Sequence, residues 1–359
     1  MAEYRLLKQE DFTQAIDLAD KTFRKEGHVS MGPAFPEVFS AALNQSYGAF
    51  INERLVSFIG LVPFVLHIGG AEVQAYSIGA VCTDPVFRRK GLANTLLQKV
   101  FEHANKSGAS VLFVSGDLPI YIKQGCTFYG KMNQYKIGKG DLKSDYPCTV
   151  RELQPYDWFQ IRSLNHERPV RYEQSIYEMA VLNESAGFAS IFKMKHKVLV
   201  AEENQKVTAY LVFGVPYNEQ EGAESRAIEW GGDPEALCRL IGETFRYGLN
   251  SLLLNVPTFE TALNVQLASL KKEEQPYPGT IKILNLDLLL DQLCPFLKDK
   301  IDISKQDDLQ YKLAHNQNSL VVGHQEMEEL ILKGTNRSFS NLDPIFPIPF
   351  PHPQGLNYV

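Results

Sequence analysis

Apolar residues recur at helical spacing in Phe12, Ala15, Ile16, Ala19 and Phe23, after a short strand predicted over residues 4–7. A second helix is predicted over 36–43. Three runs of strand character follow at 47–51, 55–66 and 72–81, with turn residues at 52–54 and at Gly69 and Gly70 between them. The middle run is apolar almost throughout, the pattern of a strand covered on both faces. The next helix places Leu92, Leu96, Leu97, Val100, Phe101 and Ala104 on one side. Asn94, Gln98, Lys99, Glu102 and Lys106 lie on the other, and Gly108 ends it. A short buried strand at 111–115, a helical turn near 120–123 and a strand from Thr127 complete the unit.

The same order recurs further on. A strand at 149–153 precedes a helix bearing Trp158, Ile161 and Leu164 and another over 174–182. Strands at 197–203, 207–215 and 225–230 follow, then a helix with Leu237, Leu240, Ile241, Thr244 and Phe245 on one face, and a strand at 251–256. Gly248 precedes this last strand much as Gly108 precedes its counterpart. A remainder from Gly279 holds a strand at 280–284, a helix at 288–298, a hairpin ending at Val322 and a helix around 325–332. Its end, P-I-F-P-I-P-F-P-H-P-Q-G-L-N-Y-V, is proline-rich and aromatic with little charge, so we expect an extended tail packed against the body. The boundaries read this way are 1–147, 148–278 and 279–359, an α+β organisation.

Composition changes this picture little. The 359 residues are 44% hydrophobic and 22% charged, enough for ordinary cores. A net charge of -6 offers no basic field for nucleic acid. Cys82, Cys126, Cys148, Cys238 and Cys294 are scattered without C-x-x-C spacing, which reads as free thiols in a reducing compartment. No apolar signal core opens the chain, and the longest apolar run is far shorter than the ~20 residues of a membrane span. A cytoplasmic protein acting without a membrane is therefore expected. The eight histidines lack metal-ligand spacing, so no metal is expected.

The chemistry concentrates between Tyr76 and Phe128. An apolar strand ends at Val81, Cys82 and Thr83 and runs into V-F-R-R-K-G-L-A-N, which opens the amphipathic helix. Gly91 and Ala93 let an anion approach the main chain, and amide hydrogens from Arg89 to Asn94 can point at a diphosphate. Arg88, Arg89 and Lys90 add positive charge; which of them points inward stays open at this level. Arg88, Gly91 and Ala93 fit the spacing Arg/Gln-x-x-Gly-x-Gly/Ala, which resembles the acetyl-CoA loop of the GNAT N-acetyltransferases. Tyr121-Ile-Lys-Gln-Gly125-Cys-Thr-Phe128 keeps that family's tyrosine-to-glycine spacing, though Cys126 stands where an aromatic is usual and Gln124 where an apolar residue is usual.

The resemblance implies a mixed sheet flanked by helices and acetyl-CoA as co-substrate. Main-chain groups of Val81, Cys82 and Thr83 would meet pantetheine and the thioester, and Tyr121 would protonate the departing thiolate. Cys82 reads as a packed thiol, since direct transfer needs no acyl-enzyme. Ser115 ends the following strand, either against the pantetheine arm or as an ordinary cap. No carboxylate stands out as the base; Glu26, Glu72 and Asp84 read as surface groups.

The whole plan is similar to the bacterial Eis acetyltransferases, with an active GNAT domain, a degenerate second one and a sterol-carrier-like C-terminal domain. In the second half G-G-D-P-E-A follows Trp230, so Asp233 and Glu235 would repel phosphate. That resemblance implies a terminal carboxylate, here on Val359, that helps deprotonate or orient the amine, and it leans toward a homo-oligomer. The expected reaction is direct acetyl transfer from acetyl-CoA to a small-molecule or peptide amine. The rivals are a non-catalytic acyl-CoA sensor or scaffold, and lipid binding by the C-terminal unit.

Overall fold

The computed structural model describes residues 2–218, 222–316, 318–335 and 342–359. Its first stretch runs β1 (Glu3–Leu6), α1 (Phe12–Phe23), α2 (Met31–Ala34), β2 (Tyr47–Ile51), β3 (Arg54–Ile68), β4 (Ala71–Thr83), α3 (Leu92–Lys106), β5 (Val111–Val114), α4 (Pro119–Ile122) and β6 (Lys131–Gly138). The second runs β7 (Thr149–Glu152), α5 (Trp158–His166), β8 (Val170–Tyr172), α6 (Ile176–Ser185), α7 (Gly187–Ser190), β9 (Met194–Glu203), β10 (Lys206–Pro216), β11 (Ala223–Gly232), α8 (Pro234–Glu243), β12 (Leu249–Pro257), α9 (Thr261–Gln266) and β13 (Lys272–Pro276). The rest comprises β14 (Thr280–Ile283), α10 (Leu286–Leu297), β15 (Asp302–Lys305), β16 (Gln310–His315), β17 (Asn318–Gly323) and α11 (His324–Lys333).

Two seven-stranded mixed sheets, each flanked by helices, make an α+β fold of tandem units. The first sheet runs β1-β2-β3-β4-β5-β14, with β8 added beside β3; the second runs β13-β6-β12-β11-β10-β9-β7. Hydrogen bonding crosses the boundaries drawn from the sequence. β6 leaves the first stretch to pair with β12 and β13, while β14 closes the first sheet against β5. Thr127, expected to start a strand, makes a single bridge to Ile281 before the chain changes sheets. The small sheet β15-β16-β17 packs with α10 and α11.

α3 illustrates why the elements sit where they do. Leu96, Leu97, Val100 and Ala104 on its apolar face are fully buried against Val56, Ile59, Leu61 and Leu112. Each large side chain so covered contributes about 1.5–3 kcal/mol. The helix expected over 36–43 is instead a run of turns. Main-chain bonds Phe39 N–H to Phe35 O and Asn44 N–H to Ser40 O close single turns without joining into a helix. Val38 and Phe39 still reach the core from those turns.

Both halves open on one construction. Arg5 donates to Asp11 at 2.5 and 3.2 Å, and the Asp11 carboxylate also accepts Lys8 N–H at 2.6 Å. Arg151 donates to Asp157 at 2.6 and 2.9 Å, and Asp157 accepts Gln154 N–H at 2.7 Å. In each case the carboxylate fixes the turn from the first strand into the first helix.

Asp157 is fully buried, which would raise its carboxyl pKa, but the Arg151 guanidinium and the Gln154 N–H outweigh this and hold it below the ordinary range. A depressed carboxylate stabilises the fold above its unfolded pKa and ceases to do so as pH falls through the folded value. Asp157→Ala should therefore cost about 3 kcal/mol in urea denaturation near neutral pH, the low end for a broken buried pair because Arg151 keeps Glu202 at 2.5 Å. The deficit relative to wild type should shrink below pH ~4.

Candidate active site

The site grows from the two edges of β4. Toward β5, pairing runs only from Ala75 with Val111 to Ile78 with Val114, after which the parallel strands part. Toward β3 the register slips: Phe58 faces Cys82 but Gly60 faces Gly79, so Ala80 and Val81 stand opposite a single residue. Ala80 takes φ 51 within this bulge. A bulge frees main-chain polar groups from the ladder and kinks the strand. Here it does so at the mouth of the opening left by β5.

Below the mouth lies the basic loop. Gly91, at φ 79, is the N-cap of α3 and offers no capping side chain. Amide hydrogens from Arg89 to Asn94 have no main-chain partner in the loop or the first helical turn. A cavity of about 360 Å³ is lined by Val81, Cys82, Thr83, Arg88, Arg89, Gly91, Ala93 and Asn94. Arg88 Nε donates to Thr83 O at 3.2 Å, tying the loop to the end of β4. Lys90 is not among the lining residues, and its Nζ stands 4.8 Å from the centre of the Phe87 ring.

A second cavity of about 470 Å³ shares Val81 with the first and is lined by Ile78, Gly79, Ser115, Tyr121, Tyr358 and Val359 among others. Tyr121, carried on α4, is buried, and burial pushes its hydroxyl up to about 12. Ser115 Oγ donates to the Val359 carbonyl at 2.6 Å. Val359 lies so close to β4 that a Cβ on Gly79 would fall 2.6 Å from its carbonyl carbon; only glycine admits the tail here. Cys82 is buried and pushed up to about 12 by desolvation, a thiol rather than a thiolate at neutral pH. Ser57 Oγ occupies both the Cys82 carbonyl at 3.1 Å and the Thr83 hydroxyl at 2.7 Å. That leaves the bulge as the main-chain surface facing the opening.

The tail reaches this point along the second half. Ile345, Ile348 and Phe350 sink into the first core beside Phe113, Tyr129 and Tyr277. Arg168 bridges Glu229 and Glu260, and Leu356 N–H donates to Glu229 at 3.4 Å. Asn165 donates to Gln174 at 2.7 Å, and Gln174 to Asn357 at 2.5 Å. Tyr358 then packs on Phe35 and Phe188, with ring centres 6.2 and 4.9 Å apart. Pro351, His352 and Gly355 fill the corresponding opening beside Ile228, Glu229 and Trp230, leaving only about 20 Å³.

The helix after β11 differs from α3 in the decisive respect. Asp233 accepts both Glu235 N–H and Ala236 N–H at 2.9 Å, so its own side chain takes the place an anion would need. The Arg–Asp staple shared by the two halves, arginine then aspartate six residues on, is a repeat signal that the strand and helix spacing did not exploit. Sequence reasoning also missed Gly79, Ala80 and Tyr358. The glycine and alanine have no side-chain chemistry, and the tyrosine's neighbours are distant in sequence. Among the described residues no group of three His, Cys, Asp or Glu side chains converges on a metal-sized site.

Residues 3–129 match the model of an acetyltransferase (GNAT) domain. No curated protein matches the chain in sequence. Among solved structures, a conserved protein of Enterococcus faecalis V583 described as a probable N-acyltransferase is 15% identical, with a TM-score of 0.66 over 90% of this chain and 85% of that one. Eis1 of Mycobacterium abscessus is 11% identical, with a TM-score of 0.63 over 96% and 92%. The Saccharomyces cerevisiae N-myristoyltransferase bound to myristoyl-CoA is 13% identical, with a TM-score of 0.51 over 78% and 81%. Residues 3–129 thus match a GNAT acetyltransferase domain, and the chain shares its overall fold with Eis1 of Mycobacterium abscessus and with the probable N-acyltransferase of Enterococcus faecalis.

Proposed function

We propose that the protein transfers an acetyl group from acetyl-CoA to a primary amine by direct attack in a ternary complex. The observation that carries this reading is the continuity of three features in one opening. An uncapped helix N-terminus, a bulged strand end and a buried tyrosine line two cavities that meet at Val81.

The diphosphate of CoA sits on the amide hydrogens of Arg89 to Asn94, with Arg88 and Arg89 supplying charge. Pantetheine follows the end of β4 past Thr83 and Cys82, and the thioester carbonyl faces the bulge at Ala80 and Val81, whose main chain stabilises the oxyanion. The ammonium first gives up one proton. Its nitrogen then forms the bond to the carbonyl carbon, the C–S bond breaks, and the sulfur leaves as thiolate. Tyr121 donates its proton to that thiolate and is reprotonated from solvent, while the amide nitrogen sheds its second proton. The balance is acetyl-CoA and ammonium to amide, CoA thiol and one proton. A phenol held near 12 stays protonated at neutral pH, as this role requires. In this reading the Val359 carboxylate, which accepts from Ser115 Oγ, takes the ammonium proton. Asp117, which is exposed, is the only other carboxylate lining the cavity among the described residues.

Variants at the proposed site and a labelling experiment check this reading. Tyr121→Phe should lower kcat by roughly a hundredfold or more while acetyl-CoA affinity stays near wild type; parallel loss of both would mark the tyrosine as packing. No atom lies within 4 Å of a Cβ on Gly91, so Gly91→Ala should cost only the left-handed strain of about 1–2 kcal/mol. Gly91→Glu should abolish acetyl-CoA binding in calorimetry. In the folded protein near pH 7.5, iodoacetamide should modify exposed Cys294 and leave Cys82 untouched by mass spectrometry, with activity retained. Tight CoA binding with no thiol release across a broad amine panel would favour a sensor over an enzyme.

A further inference from the structure

The acceptor side of the cleft carries an arginine that the transfer chemistry does not use. Arg24 follows α1 and lines the cavity with Phe23, Met31, Phe35, Ile191 and Tyr358. Its guanidinium stands 5.5 Å from the centre of the Phe35 ring, and Nη2 donates to Ser190 Oγ at 3.0 Å. Nε is buried with no hydrogen-bond partner, and no carboxylate among the described residues lies within ion-pair distance. The nearest acid, Asp20, is already taken: its oxygens accept Met31 N–H at 2.6 Å and Ser30 Oγ–H at 2.7 Å. Arg24 is half-buried, and a buried N–H left without a partner is costly.

The surroundings share that sign. Lys193 reaches over Gly27, and Arg226 stands 4.1 Å from the centre of the Phe192 ring, which packs on Phe188 beside Tyr358. Neither makes an ion pair among the described residues, and Asp117 is the only carboxylate side chain lining the cavity. Within the opening itself Arg24 is the one lining cation among the described residues, set against Asp117 and Val359. The walls of the opening are aromatic and aliphatic, which suits an apolar body between the reacting nitrogen and the anion.

We propose that the acceptor is a primary amine bearing a carboxylate on an apolar frame, of the class of apolar amino acids, with the carboxylate held by the Arg24 guanidinium in the acceptor cleft. The inference rests on the acetyl-transfer reading and names the substrate class for that site. A guanidinium fork takes a carboxylate through two parallel N–H donors, and Nη1 has no hydrogen-bond partner among the described residues.

The test compares matched amines that differ by one charge: leucine with leucinamide, and phenylalanine with phenylalaninamide and phenethylamine, by CoA-thiol release. Wild type should favour each carboxylate over its amide by about tenfold to a hundredfold in kcat/KM, the worth of one charge-assisted hydrogen bond. Arg24→Gln should bring that ratio close to one, and Arg24→Lys should leave it in between. Because these are ratios within one protein, partial loss of fold in a variant does not imitate the result. Calorimetry with N-acetylleucine and its amide supplies a readout without turnover, and only the acid should bind in an Arg24-dependent way. Preference for the amides or for a polyamine such as spermidine, or a carboxylate preference that survives Arg24→Gln, overturns the inference while leaving acetyl transfer in place. No thiol release from any amine alongside Arg24-dependent N-acetylleucine binding would instead sink the transfer reading and keep the anion site. Absence of both would remove both.

Discussion

The parting of β4 from β5 beyond Ile78 and Val114 is the constraint from which the rest of the molecule follows. Two parallel strands that separate leave main-chain groups unpaired in the middle of a sheet, and such groups are costly unless something satisfies them. In the first half the opening stays available. The bulge at Ala80 and Val81 lines one side, Ser115 the other, and the end of the chain enters between them. In the second half the opening beside Ile228 and Glu229 is filled by Pro351, His352 and Gly355. One tail thus closes one cleft and furnishes the other.

The two halves share a plan and differ at one helix terminus. Both turn into their first helix on a buried Arg–Asp pair, and in both a helix follows the third antiparallel strand, across the basic loop in the first half and at once in the second. They differ at the helix cap. Gly91 leaves the amide hydrogens of α3 open toward a cavity, whereas Asp233 consumes those of α8 with its own carboxylate. A capping aspartate and a bound phosphate compete for the same donors, so the second helix gains local stability and forgoes the anion.

How much of this was legible in the sequence follows from the range of the interactions. Helical periodicity at Leu92, Leu96, Leu97 and Val100 and the apolar run of β3 are local patterns, and they located their elements. The basic loop that opens α3 was legible because its parts lie within seven residues. The exchange of β6 and β14 between sheets was not, since strand pairing depends on partners more than a hundred residues apart. The turns at 36–43 defeated the helical reading because Val38 and Phe39 satisfy core positions without a continuous hydrogen-bond ladder. Arg24 was invisible for a related reason: a lone arginine after a helix is unremarkable until Ser190, Phe35 and Tyr358 surround it.

The site consequently draws on the whole chain. Tyr121 and the α3 loop come from the first stretch, Ser190 and the Arg168–Glu229 support from the second, and Tyr358 and Val359 from the last. Such an arrangement ties the cleft to complete assembly. The first sheet lacks its closing strand until β14 docks, and the acceptor wall lacks Tyr358 until Gln174 and Glu229 hold the tail. Reaching the cleft through the second half also fixes where Tyr358 and Val359 lie, because the hydrogen bonds at Leu356 and Asn357 hold them beside the mouth at Gly79. The second half, whose α8 amide hydrogens are taken by Asp233, thereby anchors residues that line the first half's cleft.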